Sequence, residues 1–133
     1  MNGDLRFWNI LQSSSEHGQR NLHYGLFKLF RSLPRTTEAQ ILGKQLLRSG
    51  TAVAANYRAV CRARSKAEFI ARLGIVVEEA DESSFWLELL SDSEVVRSER
   101  LADLMKEAGE LTAIFNASKR TARQSPDHKS LNH

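Results

Sequence analysis

Lys44, Arg48, Thr51, Ala55, Arg58 and Arg62 follow one another at spacings of 4, 3, 4, 3 and 4 residues. On an α-helix that rhythm is one stripe, and its four cations span about 27 Å, a geometry suited to a phosphate backbone. Arg64 and Lys66 extend the run, and within residues 44–72 only Glu68 opposes seven bases. Residues 73–110 reverse the sign, with eleven acids against Arg97, Arg100 and Lys106. The net charge of +3 over 133 residues is therefore the remainder of a basic block and an acidic block. A stripe of this kind can also be a solvated face that pairs with acids. Its clustering is what favours phosphate contact.

Catalysis finds less support. The chain has no Gly-rich phosphate loop, no nucleophile elbow and no His-Glu-x-x-His. His17, His23, His128 and His133 lie outside the three long helical segments described below, so the Glu-x-x-His pairs of a di-iron bundle cannot be assembled. Glu78, Glu79, Asp81 and Glu82 read as a solvated acidic face rather than a metal site. Cys61 stands among Arg58, Arg62 and Arg64, which would favour its thiolate. Without a helical histidine as base, it reads as a small filler. A lone cysteine forms no internal disulfide and favours a reducing compartment. No apolar run approaches the roughly 18–20 residues of a membrane span, and the start lacks a secretory signal. A non-enzymatic cytoplasmic protein, with no metal or cofactor, is expected.

Helices must position the stripe. Leu22, Leu26, Leu29, Phe30 and Leu33 mark one buried face of a first helix over 19–32, which Pro34 ends. Thr37 and Gln40 form a capping box that opens a second helix near 38. Its seam runs Leu42, Leu46, Ser49, Val53, Asn56 and Val60, opposite the cations. Ser65 and Glu68 cap a third helix with the seam Phe69, Leu73, Val76, Ala80, Ser83, Leu87 and Leu90. After a turn at 91–93, a fourth helix over about 97–122 carries Leu101, Leu104, Ala108, Leu111, Phe115, Ser118 and Ala122.

Alternating 3 and 4 spacing with short connections predicts an all-α, antiparallel up-and-down four-helix bundle over residues 19–123. Residues 1–18 are expected to form an N-terminal arm, and 124–133 a disordered tail. Asn56 is predicted to be a buried polar residue that fixes helix register. Gly43 and Gly50, seven residues apart, suggest close approach of another helix or subunit. Phe85, Trp86 and Leu89 widen the apolar face of helix three beside Glu79 and Glu82. These five residues could form a head-to-tail subunit interface or simply a wide buried face.

The segments Thr-Glu-Ala-Gln-Ile-Leu-Gly-Lys-Gln-Leu-Leu-Arg-Ser-Gly-Thr (37–51), Ala-Asn-Tyr-Arg-Ala (55–59), Arg-Ala-Arg-Ser-Lys-Ala-Glu-Phe-Ile (62–70) and Glu-Glu-Ala-Asp-Glu (78–82) resemble the bacterial four-helix-bundle family of 23S rRNA intervening-sequence proteins. Trp86-Leu87-Glu88-Leu89-Leu90 and Glu110-Leu111-Thr112-Ala113-Ile114-Phe115 continue the likeness. The resemblance implies a ring-like homopentamer. It further implies similarity to the accessory variability determinant of diversity-generating retroelements, which binds nucleic acid and a reverse transcriptase. It carries over no catalytic residues. The expected function is RNA or DNA binding through Lys44, Arg48, Arg58, Arg62, Arg64 and Lys66, with a protein-interaction scaffold, such as a reverse transcriptase subunit, as the alternative.

Overall fold

The computed structural model describes residues 22–125. Four helices account for nearly all of them: α1 (22–32), α2 (Thr37–Cys61), α3 (Lys66–Asp92) and α4 (Ser98–Gln124), with no strand among the described residues. Short connections make each helix run back along its predecessor. Ser49 of α2 meets Ser83 of α3, while Lys66 and Gly74 of α3 face Ser125 and Lys119 beside or within α4. α1 closes the bundle by packing on α2 and α4, since Phe30 and Leu33 lie over Gly43, Leu26 over Gly50, and Gly25 against Leu104.

The seams of α3 and α4 are buried as the 3–4 spacing predicts, from Phe69 to Leu90 and from Leu101 to Ala122. α2 departs from its predicted seam. Its buried residues are Ala39, Gly43, Leu46, Ser49, Gly50, Val53, Tyr57 and Val60. The helix turns its glycines inward because α1 comes close enough to occupy the space a side chain would need. That rotation admits Tyr57, whose ring packs 5.9 Å from that of Phe115 between centroids. It also places Leu42 and Asn56 at the edge of the core. Asn56 is thus half-buried rather than a core register pin, and its amide donates to the Ala52 carbonyl of its own helix at 2.9 Å.

The polar contact inside the core is instead Ser49 with Ser83. Their hydroxyls are 2.9 Å apart, and each lies within hydrogen-bonding distance of a carbonyl of its own helix, Leu46 and Glu79 respectively; one hydroxyl donates to the other, which donates to its own helix carbonyl. Small side chains let α2 and α3 approach, and the hydroxyls are satisfied without water.

Side-chain caps set the starts of α2 and α3. Thr36, one residue earlier than the predicted cap, accepts from the Ala39 N–H at 3.3 Å, and Gln40 donates back to the Pro34 carbonyl at 3.1 Å. The predicted 91–93 turn is displaced because α3 continues to Asp92; the reversal passes through Glu94 at a left-handed φ of 60°. The N-terminal arm and the tail beyond Ser125 lie outside the described residues.

Two glycines separate close packing from helix propensity. A Cβ at Gly109 would meet nothing within 4 Å, whereas one at Gly50 would collide with Leu26. Gly109→Ala is expected to stabilise the fold by up to about 1 kcal/mol. Gly50→Leu should cost about 1–3 kcal/mol by overpacking. Urea unfolding of the two variants measures both, and a gain at Gly50 would contradict the close approach.

Candidate nucleic-acid interface

With its glycines against α1 and Ser49 against α3, α2 has one side left for solvent. Lys44, Arg48, Arg58 and Arg62 all stand on it, exposed. The stripe is therefore positioned as its period requires, yet its members differ in what they touch.

Arg48 is engaged. It bridges to α3 by donating to Glu82 and, at 3.5 Å, to Glu79, and its Nε donates to Gln45 at 3.2 Å. The hydrogen bond to Glu82 and the two carboxylate charges raise the Arg48 pKa above the ordinary arginine value, with burial acting in the opposite sense. Half of the Arg48 side chain remains exposed, so solvent screens the pair and its contribution to stability is small. Its effect on the site is larger: two acids already answer this cation. Lys66 is also diverted. Half-buried at the start of α3, it donates to the Ser125 carbonyl at the end of α4, where a cation meets the negative pole of that helix.

The uncommitted charge gathers where α2 turns into α3. Ala55, Arg58, Ala59, Arg62, Arg64, Glu68 and Arg72 line an open groove of about 600 Å³. Four of these lining residues are arginines and two are alanines. Glu68 is the one carboxylate in the groove. It lies 3.9 Å from the Arg64 guanidinium and accepts from the Arg64 backbone N–H at 3.3 Å. Arg64 is 90% exposed, so this contact restrains it little. The turn itself is held by Ser65, whose hydroxyl accepts from the Glu68 N–H at 3.0 Å.

Arg72 is the groove residue that periodicity missed. It belongs to α3 and stands outside the α2 stripe. Its signal lay in topology: a hairpin with a four-residue connection places the first turns of α3 beside the last turns of α2. Cys61 is exposed at this end of the molecule rather than filling the core. Among the described residues no group of three or more His, Cys, Asp or Glu is placed to hold a metal ion, and no helix is long and apolar enough to cross a membrane.

The predicted interface residues occupy the other half of α3. Glu79 and Glu82 meet Arg48 of the same chain. Phe85 is 51% exposed and packs edge-on against Trp86, with centroids 4.9 Å apart. Trp86 and Leu89 are half-buried, and the Trp86 indole N–H is enclosed without a partner among the described residues.

Fold and site define a small antiparallel helical bundle with an arginine groove at the α2–α3 end. The chain belongs to the 23S rRNA-intervening sequence protein family, whose profile matches residues 19–117. It is similar to a crystal structure of a protein of unknown function from the S23 ribosomal protein family of Bacteroides thetaiotaomicron. The two share 27% identity and a TM-score of 0.76 over 83% of this chain and 98% of that one. No curated protein matches the chain.

Ser65 caps the helix that carries Glu68 and Arg72 of the groove. Ser65→Ala is expected to lower stability by about 1 kcal/mol in thermal or urea unfolding. An unchanged midpoint would show that the cap does not hold this turn.

Proposed function

We propose that this chain is a non-enzymatic nucleic-acid-binding protein whose phosphate contacts are made by Arg58, Arg62, Arg64 and Arg72. The observation that carries the reading is the groove itself, four exposed guanidinium groups around two alanines with one carboxylate among them. Arginine suits the task because its planar fork donates two parallel hydrogen bonds to phosphate oxygens. Lys44, exposed one end of the stripe away, adds longer-range attraction. Arg48 and Lys66 contribute less, being held by Glu79, Glu82 and the Ser125 carbonyl. The rRNA reference in the family description agrees with a polyanionic RNA partner. Contacts of this kind are insensitive to sequence and steeply dependent on salt.

We further propose that copies of the chain associate in the cytoplasm, as a ring-like homopentamer, through the face carrying Phe85, Trp86 and Leu89. Exposed Phe85 and the enclosed, unpartnered Trp86 N–H support that reading. Assembly would present several arginine grooves to one strand and raise affinity through effective concentration. The same surface supports a second reading, in which the bundle is an accessory subunit of a protein such as a retroelement reverse transcriptase.

A salt titration of oligonucleotide binding tests the main reading. The triple variant Arg58→Ala, Arg62→Ala, Arg72→Ala is expected to weaken binding and flatten the log–log salt slope by roughly 2–3, about 0.7 per lost phosphate contact on a single strand and about 0.9 on duplex DNA. Arg48→Ala should change neither much, and Glu79→Gln with Glu82→Gln should strengthen binding by freeing Arg48. Equal affinity of the triple variant and the parent chain would sink the assignment. For assembly, sedimentation at micromolar concentration should give a species several times heavier than the 15.0 kDa chain. A lone 15.0 kDa species rejects it.

A further inference from the structure

Arginine grooves hold phosphates but do not distinguish paired from unpaired strands. A second feature bears on that choice. Tyr24 is 72% exposed and Phe27 42% exposed, on the outer side of α1. They share that side with Lys28 and Arg31, also exposed, at the i, i+3, i+4, i+7 spacing of one helix face.

The packing of α1 fixes which way this face looks. Leu26 lies over Gly50, and Phe30 touches the space beside Gly43, so both point to α2. Counting about 100° per residue from Leu26 in the direction of Phe30, Phe27 stands at about 100°, Arg31 at about 140° and Tyr24 at about 160°. The two aromatics therefore lie outward of the α1–α2 contact, on the side toward the α2 stripe. The same count on α2 from Gly50 reaches Leu47 at about 60°, Arg58 at about 80° and Lys44 at about 120°. Between residues 22 and 65 the sole acid is Glu38.

The remaining exposed aromatic among those described, Phe85, has the opposite surroundings. Its helix carries Asp81, Glu82 and Glu88 within four residues, charges that repel phosphate. Exposed rings beside cations and away from acids are what an unpaired strand requires, because each base can stack on a ring while its phosphate meets a cation. A duplex keeps its bases stacked inside and cannot use the rings.

We propose that Tyr24 and Phe27 form a stacking platform that makes single-stranded nucleic acid the preferred ligand. The proposal rests on the phosphate-binding reading above and adds the strand state of the ligand. It implies that the strand crosses from the arginine groove along the α1–α2 face. RNA and DNA share the chemistry used here, since every base has a stackable face.

The test compares a fluorescein-labelled 20-nucleotide single strand with its 20-base-pair duplex, each as RNA and as DNA, by anisotropy at fixed salt. The parent chain should bind the single strand more tightly. Tyr24→Ala with Phe27→Ala should weaken single-strand binding by about tenfold or more, leave duplex affinity within about twofold, and leave the salt slope unchanged. Tyr24→Leu with Phe27→Leu should fail to restore it, because apolar area without a π face does not stack bases. Equal loss on both strand states, no loss on either, or full rescue by leucine overturns the platform. A change in sedimentation without a change in strand preference also overturns it and assigns the rings to a protein contact. If the parent chain binds neither oligonucleotide, the phosphate reading fails and the platform falls with it. Binding that survives the aromatic variants but not the arginine triple variant rejects the platform alone. Circular dichroism should be unaltered, since both side chains are exposed.

Discussion

The close approach of α1 to α2 at Gly43 and Gly50 governs the rest of this molecule. A glycine inside a helix costs about 1 kcal/mol relative to alanine, so two in one helix need compensation. Here Leu26, Leu33 and Phe30 fill the space that a Cβ would take. The half-buried His23 imidazole adds a hydrogen bond, donating from Nε2 to the Gly50 carbonyl at 2.9 Å. This contact fixes the rotation of α2 about its own axis. Once the glycines face α1 and Ser49 faces α3, the cations are turned away from the core, and of the stripe Arg48 reaches α3.

Charge then sorts by hairpin. Residues 22–62, which hold α1 and α2, carry seven bases against Glu38 alone, and α3 carries a dense run of acids, so the bundle is electrically two-sided. The contact between the halves is not neutral. Arg48 reaches across to Glu79 and Glu82, joining the acidic face to the middle of the basic stripe. Cations near that junction are answered within the chain. Those at the α2–α3 turn meet only Glu68, and Arg64, Arg62, Arg58 and Arg72 keep a field directed at solvent. Exposed ion pairs add little stability, so this arrangement shapes the surface potential more than the fold.

Much of this was legible in the sequence because helical period is a geometric constraint. The seams of α3 and α4 and the outward stripe of α2 follow directly from 3–4 spacing. The α2 seam failed at Asn56 and Leu42 for a reason period alone cannot carry. Glycines have no hydropathy signal, yet they occupied the inner face, and Tyr57 entered where Asn56 was expected. Ser65 caps α3 as its sequence position predicts, although Glu68 reaches back to the Arg64 N–H and not to that of Ser65, while the cap expected at Thr37 falls one residue earlier because Thr36 offers the same hydroxyl. Site membership was less legible than site location. Whether Arg48 is committed, whether Lys66 turns to a helix end, and whether Arg72 joins the groove all depend on contacts between helices.

The most direct measurement follows the arginine side chains themselves. Nε–Hε resonances recorded by NMR during titration with a single-stranded oligonucleotide report which guanidinium groups meet phosphate. Arg58, Arg62, Arg64 and Arg72 are expected to shift together while Arg48, tied to Glu82, and Arg97 and Arg100, at the far end of the bundle, stay in place. Shifts centred on Arg97 and Arg100, or on Arg48 with the groove unmoved, would contradict the groove assignment.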